Sequence, residues 1–141
     1  MSISMSKKLG LIALLFCCVS ANDLVRAKGP QDSKPIQVNG SNNEDSKAAL
    51  ALLAQTINQD EFVILIARAG NGESLRGLNR RRLSVVRSYV NVTRSTPIPE
   101  QKIVTAQSER VRGRGRIEVY LRGKLFMVFL FDQNKTFEPE A

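Results

Sequence analysis

Arginine is the residue type with the most chemical potential in this chain. Between Arg68 and Arg122 thirteen basic residues face four acidic ones, Glu73, Glu100, Glu109 and Glu118, and twelve of the thirteen are Arg. A planar guanidinium fork meets carboxylate and phosphate oxygens two at a time, so this stretch suits anions better than a Lys-rich one would. The whole chain carries a formal charge of +8. The pattern reads either as a solvated basic surface with no specific partner or as an anion-binding one. Other chemistry is largely excluded. There is no His, and the two cysteines, Cys17 and Cys18, are adjacent. Neither a His/Cys metal set, a Ser-His-Asp triad nor a Cys-His pair can be assembled. The remaining acid–base candidates are Glu73, Glu109 and Glu118, and beside so many arginines they stay ionised, which makes poor general acids. The expectation is a protein that is not an enzyme and uses no metal or cofactor.

These residues are positioned by the stretch Phe62 to Val92. It opens with the apolar run Phe62-Val63-Ile64-Leu65-Ile66-Ala67, which reads as a strand buried on both faces. A Gly-rich turn follows, Arg68-Ala69-Gly70-Asn71-Gly72, and then a helical pattern from Glu73 to Val92. At about 100° per residue, Leu75, Leu78, Leu83, Val85, Val86, Tyr89 and Val90 share one face, to be packed on a sheet. Arg76, Arg80, Ser84 and Arg87 fall on the other side, with Arg81 and Ser88 at its margin. Arg82 breaks the pattern, because it falls inside the apolar stripe. A guanidinium there must find acceptors, since a buried unpaired charge costs several kcal/mol. It reads either as a stem that covers the core edge with its head on an internal Glu, or as a fork that holds a ligand carboxylate.

Residues 1–21 read as a secretory signal. Lys7 and Lys8 precede an apolar core from Leu9 to Cys18, and Val19-Ser20-Ala21 offers small residues for cleavage after Ala21. A lipidated cysteine or an uncleaved anchor are the other readings of this end. The expected location is the periplasm or cell envelope, with membrane contact only through the signal segment. Export and the lack of aromatics interleaved with the arginines argue against a nucleic-acid partner.

Residues 22–45 read as a polar linker, within which Ile36-Gln37-Val38 forms a short edge strand. Asp45 or Ser46 caps a helix from Lys47 to about Asn58. After the central helix come a loop (Thr93 to Pro99), a short strand (Lys102 to Ala106), a basic loop (Gln107 to Gly115) and a half-buried strand (Arg116 to Arg122). Gly123-Lys124 turns the chain into Leu125 to Phe131, seven apolar residues. These form either a covered strand or a sticky edge that pairs with a partner or a second copy, and so a route to a homo-oligomer. The acidic end, residues 132–141, reads as disordered. The folded domain is placed at residues 46–131.

The stretch Gly77-Leu78-Asn79-Arg80-Arg81-Arg82-Leu83-Ser84-Val85-Val86-Arg87-Ser88-Tyr89-Val90 resembles the second helix of OmpA-like peptidoglycan-binding domains. That helix follows the pattern L-S-x-x-R-A-x-x-V-x-x-Y-L. Leu78, Arg82, Val86, Tyr89 and Val90 match it, while Asn79 replaces the Ser and Leu83 the Ala. Downstream, Ile98-Pro99-Glu100-Gln101-Lys102-Ile103 is similar to the family's G-I-P-x-x-K-I, Gln107-Ser108-Glu109 stands near its G-x-G-E, and Arg116-Ile117-Glu118-Val119 resembles its final R-R-V-E-I strand. The resemblance covers about residues 60–122. It implies an α+β fold, a small mixed sheet with two helices on one face in the order βαβαββ, here with an extra C-terminal hairpin strand. It also implies an envelope module that binds peptidoglycan peptide, or another anionic envelope polymer, through Arg82. Arg68, Asn71 and Glu73 would line the turn and Asn79 would lie near. The family's G-H-T-D turn, whose Asp partners the helix Arg at the ligand, is missing, and Glu73 is the only acid close by.

Overall fold

A computed structural model describes residues 33–74 and 76–137. The signal segment, residues 22–32 of the linker and residues 138–141 lie outside the described residues, as does Leu75. The elements run β1 (Ile36–Asn39), α1 (Asn43–Thr56), β2 (Val63–Arg68), α2 (Leu78–Val92), β3 (Ile103–Ser108), β4 (Gly115–Leu121) and β5 (Lys124–Phe131). The fold is α+β: one mixed five-stranded sheet, in the order β1-β5-β4-β2-β3, with two helices. β2 runs parallel to β3 and antiparallel to β4, β4 and β5 form a hairpin, and β1 lies parallel to β5.

One face of the sheet packs on the helices. Val63, Leu65 and Ala67 of β2 are buried there, opposite Leu121, Val119 and Ile117 of β4. Met127, Phe129 and Phe131 of β5 continue this layer, and Leu50, Leu53 and Ile57 on one helix side and Leu83, Val86 and Val90 on the other cover it. Ile64, Ile66 and Arg68 point the other way and are only half buried. The apolar β2 run is therefore covered on one face, not on both. Its continuous apolar character comes from the half-shielded outer face of a small sheet.

Local chemistry explains where the helices begin. The Asn42 side chain caps α1, its Oδ1 accepting from the backbone of Glu44 (3.0 Å) and Asp45 (3.3 Å), with both acids in the favourable first turn. The cap thus lies three or four residues ahead of the expected Asp45 or Ser46. α2 begins at Leu78 rather than Glu73, because Gly77 adopts a left-handed φ of 78° that ends the preceding loop. Glu73, Ser74, Arg76 and Gly77 lie outside the helix. This frees the Glu73 side chain for another role.

The two ends of the fold also differ from the sequence expectation. β1 belongs to the sheet, so the folded unit starts inside the stretch read as linker. The β4–β5 turn is Arg122-Gly123, both at positive φ (53° and 73°), one residue earlier than Gly123-Lys124. This is the geometry that matches the twist of a two-residue hairpin. β5 is a covered strand with β4 on one side and β1 on the other. β1 pairs with Met127–Leu130, so a second copy pairing along that part of β5 would have to displace β1. The chain beyond it is packed, not disordered, up to Phe137. That ring is 4% exposed and meets Phe129 and Phe131 edge-on at 5.3 and 4.9 Å.

Candidate functional site

Two regions contain the chemistry, a closed corner and an open edge. The corner lies where the turn after β2 meets the start of α2 and the chain after β5. Arg82 is fully buried there. Its NH1 donates to Glu73 Oε2 (3.0 Å) and its NH2 to Glu73 Oε1 (2.7 Å), a bidentate pair. Its Nε donates to the Lys135 carbonyl at 2.9 Å, and the guanidinium lies 4.3 Å from the Phe131 ring centroid. Glu73 also accepts from the backbone N–H of Gly70 (2.8 Å) and Asn134 (3.1 Å). Burial pushes the Glu73 carboxyl up, but the bonds from Arg82 and from the Gly70 and Asn134 N–H groups outweigh it, so it is held below the usual range. Gly115 makes the close approach possible, because a Cβ there would collide with Glu73 Oε2 and with Arg82 NH1.

The sequence offered two readings of Arg82, and the geometry is that of the internal pair. A ligand carboxylate would have to displace both Glu73 and the Lys135 carbonyl. The other expected site residues separate. Arg68 lies on the outer face of the sheet, where Arg68 and Arg116 hold Glu118 (3.2 and 2.8 Å) and Tyr120 donates to it (3.1 Å). Burial, with that bond to Glu118, raises the Tyr120 phenol. Asn71 is exposed and is fixed through its backbone N–H to the Gly113 carbonyl at 2.9 Å. Asn79 is buried at 1% exposure, with neither side-chain amide atom in a hydrogen bond. Thus Arg82 and Glu73 meet, whereas Arg68 and Asn71 do not join them.

The segment 132–137, read from the sequence as a tail, supplies most of what closes the corner. Gln133 Nε2 donates to the Gly72 carbonyl (3.1 Å), and the Ser74 N–H donates to Asn134 Oδ1 (3.3 Å). Arg110 braces the same turn through the carbonyls of Gly70 (2.5 Å) and Glu73 (2.9 Å). The signal that could have found the strap is Phe137, one large aromatic in an otherwise polar run.

The open edge is β3. It stands at the end of the strand order, and no described strand pairs with its other side. Thr105 and Gln107 pair with Leu65 and Ala67 and so face the helix layer, yet both are exposed. α2 does not reach over them. A groove of about 270 Å³ remains, walled by Arg80, Ser84 and Arg87 of α2 and by Thr105 and Gln107. Arg87 pairs with the exposed Glu100. Arg76, Arg80 and Arg81 are exposed and make no ion pair among the described residues.

No set of three or more His, Cys, Asp or Glu side chains able to hold a metal ion occurs among the described residues, and no described helix is long and apolar enough to cross a membrane. Comparison with protein-family models, with curated proteins and with solved structures finds no match to this chain.

Proposed function

We propose that this is a non-enzymatic exported envelope protein whose domain is a divergent OmpA-like module, and that it meets peptidoglycan carboxylates or another anionic envelope polymer through the exposed arginines of α2. The observation that carries the reading is the contrast along that helix. Arg82, the residue matching the family's ligand arginine, is occupied by Glu73 and Lys135, while Arg80 and Arg81 are exposed and make no ion pair among the described residues. Anion binding then shifts from a buried bidentate contact to a basic surface, which gives weaker and more salt-sensitive association.

Sedimentation of the full chain with purified peptidoglycan tests this. The expected result is co-sedimentation at low salt that fades above about 0.15 M ionic strength, where the screening length falls to about 8 Å, and that drops at least fivefold in Arg80→Glu/Arg81→Glu. A lack of co-sedimentation at any salt defeats the polymer reading. The alternative is an interaction protein with no wall binding. It is favoured by the closed corner, and its apolar C-terminal strand, being covered, would act as scaffold and not as contact.

A further inference from the structure

We infer that the open edge of β3, together with the Arg80/Arg87 wall of α2, is a strand-addition site for an extended peptide segment of a partner protein, with acidic side chains at alternate positions. The inference rests on reading the α2 flank as an anion-binding surface, but not on the polymer proposed for it.

An edge strand is a template for another chain unless it is blunted by short length, Lys, Pro or a bulge. β3 has none of these. It is six residues long, reads Ile103-Val-Thr-Ala-Gln-Ser108, contains no charged residue or Pro, and keeps an unbroken register with β2. The opposite edge, β1, is four residues long. A chain added to β3 would lie about 4.8 Å beyond it and send alternate side chains to the two faces of the sheet. On the helix face those side chains enter the groove beside Thr105 and Gln107 and meet Arg80 and Arg87. On the outer face they meet Val104, 44% exposed, and Ala106. The complementary segment therefore alternates Glu or Asp with a β-branched residue, the backbone supplying affinity and the acidic positions supplying register.

The test is binding of a synthetic eight-residue peptide of alternating Glu and Val to the full chain, read by fluorescence anisotropy. Three companion peptides are compared: one with Gln for Glu, and two N-methylated at either the odd or the even backbone positions. Strand addition uses the N–H groups of one register only. One methylated peptide should bind at least tenfold more weakly and the other within threefold of the parent. The Gln peptide, and the parent peptide with Arg80→Glu/Arg87→Glu protein, should each lose at least tenfold. Equal binding of both methylated peptides would overturn strand addition while leaving the basic flank intact. Equal binding of the Glu and Gln peptides would overturn the charge reading of the flank itself. No binding of the parent peptide would overturn the site.

Discussion

Arg80 and Arg82 stand two residues apart on α2 and have opposite surroundings. Arg82 has no exposed surface, a carboxylate on its fork, a carbonyl on its Nε and an aromatic ring against its face. Arg80 is exposed beside a groove and an unpaired strand edge and makes no ion pair among the described residues. The difference is set by what covers each one. The strap 132–137 closes over Arg82, whereas nothing described extends past β3 over Arg80. An arginine in the apolar stripe is a structural strut here, whereas Arg80 and Arg81 on the polar face are exposed.

If that contrast is right, the two residues respond differently to substitution. Arg82→Met leaves Glu73 charged and buried without its partner, and should cost about 3–5 kcal/mol of stability. Arg80→Met should stay within about 0.5 kcal/mol. Urea denaturation measures both, and a small effect of Arg82→Met would erase the distinction. Next in size is Phe137→Ala. It should cost about 3 kcal/mol, the usual range for removing a buried aromatic, even though the residue follows the last strand. A near-neutral result would mean that the strap does not hold the corner shut.

Acid sharpens the comparison further. The folded state holds the Glu73 carboxyl below its ordinary value. Its stabilising contribution is complete above the unfolded value of about 4.3, and it is lost as pH falls through the folded value. Wild type should therefore exceed Glu73→Gln in stability at neutral pH, and the gap should narrow as pH drops below about 4.3. Parallel pH curves would show that Glu73 is not held by the pair. The smallest effect is local: Gly123→Ala places a side chain at φ 73° in the hairpin turn and should cost about 1 kcal/mol, without touching either region.

The sequence made much of this fold legible. Alternation in Arg116–Leu121, the turn residues near Gly123 and the apolar stripe of α2 placed strands and helix within a few residues, because period and turn chemistry are local signals. What escaped was non-local. Nothing near Glu73 says that it leaves the helix to pair with a side chain nine residues on, since that depends on the left-handed Gly77 and on the room left at Gly115. Likewise, the polar residues around Phe137 carry no sign that their backbone groups receive Arg82 and Glu73. Asn79 is a different case: it was expected near a ligand and is instead buried with its amide unpaired, and nothing in its surroundings explains that choice of residue.

The most direct test of the central claim is peptidoglycan co-sedimentation of wild type, Arg82→Met and Arg80→Glu/Arg81→Glu, each at a temperature where circular dichroism shows it folded. The account predicts salt-sensitive binding that Arg82→Met retains and the charge-reversed variant loses. Binding that survives moderate salt and disappears only with Arg82→Met would contradict it, and would mean that Glu73 and the strap yield Arg82 to the ligand.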